Sequence, residues 1–444
     1  MPAAKRHEAT SLLATPLYGA PDLSQLPVHI SNNKLPDAAD NFFSPQNTAF
    51  YAAGVYTVLD HHMKEIRLLN LLPGSAEDQV RCNIAKPTPM TDCAGQYEAL
   101  SYCAGDPSET ICIKVSGLDF NVFASLDQGL RRLRRTKKPR LVWIDQICIN
   151  QDDLAERAFQ VQLMGDVYAD ATRGVVWMGP LPDEKLVVQQ IEFLDERLHE
   201  ELARRKKILM RGSNDREMQL AYQTIGADRG SKEPGYTRFE AWSALVSLIA
   251  APVWTRCWIA QEIVRAPKVI VYGATAAFDL DLCWPVYDAT LTHLQGKTDF
   301  HYNPEVLKAG NRMELLRIQE QCLPSQLGRF CAARRERLVN RQVLSPRVAL
   351  RTARLASSTD PRDRVYAFIG LMKPNLSIVP NYHESNTAEN AYLDACCAFI
   401  MSDKSLSFLT EGQELERSSA SPLPSWSLTG GSCRAGSLLP IGTI

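Results

Sequence analysis

The chain has 444 residues, 45% of them hydrophobic and 22% charged, with a formal net charge of −1. That length supports two or three domains with sizeable cores, and the near-neutral balance excludes a global field drawing the protein to nucleic acid or an anionic membrane. The 12 cysteines are scattered without a Cys-x-x-Cys pair, and the 8 histidines stand at no zinc-ligand spacing from them, so no metal site is expected. Buried free thiols in a reducing compartment are the plain reading. No apolar run approaches the ~18 residues of a membrane span and no signal-peptide core opens the chain, so a cytoplasmic protein without membrane contact is expected.

Residues 1–60 hold many Pro, Ser, Asn and Ala without a sustained period and read as a loosely ordered arm. Glu65 to Leu71 alternates imperfectly and stops at Pro73-Gly74, which predicts one strand; residues 85–96 read as loop. Tyr97 to Tyr102 is the next strand. Ile111–Val115 and Leu118–Val122, split by Ser116-Gly117, form a hairpin pattern. Ser125 to Arg135 is helical with Leu126, Leu130 and Leu133 on one face, and runs into a basic stretch ending at Arg140. A nucleic-acid patch is one reading of that stretch. No aromatics interleave with the charges, so cations complementing a helix C-terminus are the better one.

The central stretch is Leu141 to Met178. Leu141-Val142-Trp143-Ile144 is a buried-strand pattern ending at Asp145. Asn150, Asp152 and Asp153 offer N-cap acids before a helix with Leu154, Ala158, Val161, Met164 and Tyr168 at intervals of three and four. Its other face carries Glu156, Arg157, Gln160 and Asp166. A second strand runs from Val175 to Met178 and stops at Gly179-Pro180. Strand, helix, strand is a βαβ unit, which predicts an α/β fold with a parallel sheet flanked by helices.

Residues 183–228 are charge-rich and helical in pattern, an insertion packed on the sheet. Phe239–Ala251 predicts an apolar helix, Lys268–Tyr272 another strand, residues 279–322 mostly helix, and 323–350 a basic irregular segment. Asp360-Pro361-Arg362-Asp363-Arg364 predicts a turn and a helix start with Pro361 at its first position. A helix over Ala388–Met401 and an irregular tail complete a mainly helical region, 276–444.

Several of these residues carry a resemblance. Trp143-Ile144-Asp145, Cys148-Ile149-Asn150-Gln151, Glu156-Arg157, Gln160-Val161, Met164 and Tyr168 resemble the signature of the fungal heterokaryon incompatibility (HET) domain. Tyr97 to Tyr102 resembles the family's "YxALSYxWG" opening, with Ala104 where the family usually has tryptophan. Trp254 to Glu262 resembles its "WxRxWxxQE" motif, and Asp360 to Ala367 a "DPRDRVYA" element downstream. The resemblance implies a HET domain over about 61–275, similar to Toll/interleukin-receptor (TIR) domains with a flavodoxin-like sheet. It implies a role in fungal self/non-self recognition that promotes programmed cell death, with self-association or a homotypic HET/TIR-like partner.

Ligands of open α/β sheets sit beyond the carboxyl ends of the strands, which points to Ser101, Tyr102 and Asp145. Some TIR-like proteins cleave the nicotinamide–ribose bond of NAD with a helix glutamate, and the counterpart here is Glu262. NAD then enters as substrate, and no cofactor is implied. Trp258 lies four residues before Glu262, on the same helical face, as a stacking surface, and Arg256 suits the diphosphate. The structural alternatives pair Glu262 with Arg265 or Arg256, place Trp254 and Trp258 in the core, and give Asp145 a loop-capping role. No glycine-rich phosphate loop is present. Three functions therefore remain open: an NAD-consuming enzyme, a non-catalytic signalling module, and an inactive family copy.

Overall fold

A computed structural model describes residues 47–192, 244–245, 247–283, 326–340, 343–345, 348–349, 352–353, 356–372, 376 and 378–404. The labelled helices, in chain order, are α1 (Thr48–Ala52), α2 (Met90–Cys93), α3 (Ala124–Leu133), α4 (Asp145–Cys148), α5 (Leu154–Asp170), α6 (Ile259–Arg265), α7 (Leu327–Asn340), α8 (Asp363–Ile369) and α9 (Ala388–Asp403), and residues 184–192 and 247–249 are helical as well. The strands are β1 (Glu65–Ile66), β2 (Leu69–Leu71), β3 (Arg81–Ile84), β4 (Thr88–Pro89), β5 (Glu98–Tyr102), β6 (Thr110–Val115), β7 (Leu118–Phe123), β8 (Arg140–Trp143), β9 (Arg173–Trp177), β10 (Val269–Tyr272) and β11 (Ala277–Asp279).

Nine strands form one sheet in the order β11-β10-β9-β5-β8-β2-β3-β6-β7, and β1 pairs with β4 apart from it. The four strands β10, β9, β5 and β8 run parallel. The expectation of a parallel sheet therefore holds for this centre and for the β3/β6 pair. The other pairs are antiparallel, at β10/β11, β8/β2, β2/β3 and β6/β7, which makes the sheet mixed. Short connections are the reason: a parallel neighbour needs a crossover of a dozen or more residues, and the links Leu72–Val80, Ser116-Gly117 and Gly273–Ala276 are too brief. At the β6/β7 turn Ser116 and Gly117 have φ of +51° and +86°, the two positive angles of a type I′ hairpin.

The βαβ unit is present as β8–α5–β9, but its strands are not neighbours. Both pair with β5, which lies between them. The chain thus leaves β5 for β8 on one side and returns to β9 on the other. The carboxyl end of β5 is the topological switch point, where such sheets place ligands.

Helix α5 is capped by Asp153, whose carboxylate accepts from the amides of Ala155 and Glu156. The polar face expected at Glu156 and Gln160 is buried instead, at 5% and 1% exposed. Glu156 pairs with Arg67, and Gln160 donates to the Glu65 carbonyl, because the segment around β1 and β2 covers that side. The predicted strand Glu65–Leu71 is accordingly broken in two, its ends joining different sheets so that Arg67 can turn inward. Residues 85–96 contain β4 and α2 rather than loop alone. Helix α7 occupies part of the segment expected to be irregular. It packs on α6, where Arg334 donates to the carbonyls of Ile263 and Ala266.

Part of the expected N-terminal arm is packed. Phe50 is in the core against Phe120, and the Asn47 carboxamide bonds both the amide and the carbonyl of Asn121 on edge strand β7. Part of the basic run at the end of α3 is spent inside the fold: Arg131 bonds Asp127, Arg134 bonds the carbonyls of Ser75, Asp78 and Gln79, and Arg140 bonds Glu98, while Arg135, Lys137 and Lys138 are exposed. Residues 184–192 of the predicted insertion are helical. The rest of it, the bulk of 284–322 and the tail from 405 lie outside the described residues. Of the C-terminal region, the described residues are mainly helical. No helix among them is long and apolar enough to cross a membrane.

Candidate functional site

Ser101 and Tyr102 end β5, Asp145 follows β8 at the start of α4, and Arg256, Trp258 and Glu262 come from the turn into α6 and from α6 itself. The structure brings all six together. Ser101 Oγ donates to Glu262 Oε2, and Arg256 Nη1 stands 3.5 Å from the same oxygen. The Arg256 guanidinium lies 6.0 Å from the Tyr102 ring centroid, and the Tyr102 hydroxyl donates to Gln146 at 3.2 Å. Of the structural alternatives, the pairing of Glu262 with Arg256 is the one observed; Arg265 pairs with Asp166 at 2.6 Å. Trp254 is core, its indole N–H bonded to the Leu248 carbonyl.

A cavity of about 800 Å³ opens at these strand ends, within the size range of small-molecule sites. Tyr102, Asp145, Arg256 and Trp258 line it, and so does Ala104 at the exit of β5. Ser101 and Glu262 do not. Glu262 is 2% exposed and sits behind the wall that Arg256 forms.

The electrostatics follow from burial. Burial pushes the Glu262 carboxyl above its usual range, and the Arg256 charge and the Ser101 hydrogen bond only partly offset it. Asp145 is raised for the same reason, again opposed first by Arg256. Burial works to lower the Arg256 guanidinium, but the carboxylates of Glu262 and Asp145 more than reverse this and raise it. One cation thus sits between two carboxylates that desolvation makes reluctant to ionise.

The far wall comes from the region after 350, which sequence reasoning had not placed at the site. Arg256 and Ser357 form a parallel β-bridge, with Cys257 N donating to Ser357 O at 3.0 Å and Ser357 N to Thr255 O at 2.6 Å. Asp360 Oδ1 accepts from the Arg362 amide at 2.9 Å and its carboxylate pairs with the Arg362 guanidinium. Helix α8 begins at Asp363, so Pro361 lies in the preceding turn and not at its first position. Asp363 accepts from the Tyr382 hydroxyl at 2.6 Å and from the Trp258 indole, and burial pushes its carboxyl up to about 6. Arg157 lies over the Tyr382 ring at 4.4 Å. Arg157, Asp360, Asp363 and Tyr382 all line the cleft. The sequence signals for this wall were the density of charge in Asp360 to Arg364 and the resemblance of Asp360 to Ala367 to a downstream family element. Among the described residues no group of His, Cys, Asp and Glu is arranged to hold a metal ion.

Comparison with known proteins gives this geometry a family context. Heterokaryon incompatibility protein 6, OR allele, of Neurospora crassa is 37% identical over 183 residues, a match covering 36% of this chain and 25% of that protein. The match thus spans about a quarter of the curated relative's length. No solved structure matches. Residues 97–262, from just before β5 to the buried carboxylate of α6, match the family described as "Heterokaryon incompatibility protein (HET)".

Proposed function

We propose that this chain is a cytoplasmic effector of fungal heterokaryon incompatibility, acting in self/non-self recognition to promote cell death, and that its cleft takes NAD and breaks the nicotinamide–ribose bond. One observation carries the reading: a desolvated carboxylate, Glu262, and its cation, Arg256, meet at the switch point of a parallel sheet beside a cavity of ligand size. Cleavage of that bond sends its electron pair to the nicotinamide nitrogen and leaves oxocarbenium character on the ribose. A carboxylate stabilises that character, and water completes the reaction by adding to the ribose carbon and giving up a proton. Arg256, already on the cleft wall, turns from Glu262 to the diphosphate, which exposes Glu262 to the ribose. Trp258 provides a ring face. A TIR-like architecture and homotypic self-association belong to the same proposal.

The burial of Glu262 favours a second reading. There the carboxylate only positions Ser101 and Arg256, and the cleft binds a ligand without cleaving it, as part of a signalling module. Nicotinamide release from NAD by the full chain, at concentrations that allow self-assembly, separates the two. Release abolished in a folded Glu262→Gln variant supports the enzyme, and Asp145→Asn is expected to slow it. Release that persists in Glu262→Gln removes that residue from the chemistry. No release from folded, assembled protein refutes the enzyme and favours the binding module or an inactive family copy.

A further inference from the structure

We infer that Arg256 and Ser358 together form a phosphoryl-binding subsite of the cleft, built across the junction between the family-matched span and the C-terminal element, and that the ligand is a nucleoside diphosphate or its conjugate. This rests on the reading of the cleft as the ligand site. Both residues line the cavity, and the bridge between Arg256 and Ser357 holds their two segments side by side. Arg256 Nη1 and Ser358 Oγ are both shielded from solvent, and neither has a hydrogen-bond partner. Buried polar atoms are nearly always bonded, so two orphans on one cavity wall call for an explanation. The 3.5 Å approach of Arg256 Nη1 to Glu262 supplies charge without a hydrogen bond.

The other arginines on the wall are engaged in holding it together. Arg362 spends its donors on Asp360 and on the carbonyls of His383 and Asn386, and Arg157 covers the Tyr382 ring. A guanidinium N–H and a hydroxyl, both without an acceptor and brought to the cavity by side-chain rotation, match a group that only accepts, as phosphoryl oxygens do. A carboxylate accepts as well. The cavity volume and the Trp258 face, however, exceed what a small carboxylate fills and suit a phosphorylated ring-bearing ligand. Ser358 lies 96 residues beyond the end of the family match at Glu262, so the matched span alone supplies only half of this subsite.

Calorimetric titration of the full chain with inorganic pyrophosphate, malonate and NAD tests the inference. Pyrophosphate is expected to bind in preference to malonate. Ser358→Ala is expected to weaken pyrophosphate and NAD alike by roughly ten-fold, the worth of one charge-assisted hydrogen bond, and Ser358→Thr to retain both. Ser358 stands outside the packed core, so an unchanged melting temperature in Ser358→Ala separates lost binding from lost folding. Equal binding of pyrophosphate by wild type and Ser358→Ala overturns the subsite, as does equal affinity for malonate or no binding by folded protein. NAD bound through Ser358 yet left intact upholds the subsite and refutes only the cleavage proposed above.

Discussion

Replacing Glu156 by alanine is expected to be among the most destabilising single changes in residues 97–262. Arg67, 1% exposed, grips the Glu156 carboxylate through two hydrogen bonds of 2.5 and 2.9 Å. It also donates to the carbonyls of Thr57 and Cys148 and lies over the Tyr56 ring at 4.9 Å. Glu156 Oε1 in turn accepts from the Asn150 amide at 2.7 Å. In Glu156→Ala the guanidinium stays buried with carbonyls as its only partners, and the Asn150 amide loses its acceptor. Removing one partner of a buried pair costs ~3–5 kcal/mol, because the remaining charge is uncompensated. Urea unfolding followed by tryptophan fluorescence reads this as a midpoint shift of roughly 1 M or more at unchanged slope. The double variant Arg67→Met/Glu156→Leu removes both charges and is expected to recover most of the loss, to within about 1–2 kcal/mol of wild type. A loss below about 1 kcal/mol in the single variant, or a double variant no better than the single, would refute the argument. The same pair fixes residues 148–150, the segment that follows Asp145, so Glu156→Ala should also weaken binding in the cleft.

Gly165→Ala should destabilise by about 1–3 kcal/mol, although the same change in an open helix stabilises. A Cβ at Gly165 would fall 2.6 Å from the Gln261 carboxamide, which links the Gly165 amide to the Ala367 carbonyl at 2.6 and 3.0 Å; a melting temperature that rises would show that α5 and α6 are not packed this closely. Asp363 supplies a pH test. Its folded value of about 6 lies above the ordinary 3.8 because it is buried, so the burial penalty is absent below about pH 4, grows between 4 and 6, and is complete above 6. Melting temperature should therefore fall through that window by the equivalent of up to about 3 kcal/mol, and Asp363→Asn should flatten this part of the profile. Parallel profiles for the two proteins would remove Asp363 as the titrating group.

The central strands, the α5 cap at Asp153 and the β6/β7 hairpin were legible because each is written locally, in apolar runs, a capping acid and a Ser-Gly turn. The mixed flanks were not, since β2 and β3 are three and four residues long and carry too little pattern to show their direction. The insertion of β5 between β8 and β9 is invisible to any local period. At the site, Ser101, Tyr102 and Asp145 could be grouped because strand ends converge in such sheets, whereas Arg256, Trp258 and Glu262 were added only by the resemblance of their motif to the HET family. Burial of Glu262 behind Arg256 could not be read from a helix whose charged residue looks solvated. The wall from Ser357 to Tyr382 depends on a β-bridge about 100 residues distant in sequence, and no spacing rule reaches that far.

The carboxamide of Asn47 has a consequence for assembly. It offers edge strand β7 a donor and an acceptor where a neighbouring strand would offer the same, so one side chain stands in for a tenth strand at that position. Exposed sheet edges recruit other chains by continuing the ladder. A second copy arriving along β7 must first evict Asn47 and lift the Phe50 ring from Phe120. Self-association that leaves this stopper in place and still continues the sheet has to use the opposite edge, β11, so the two edges are unequal as docking sites.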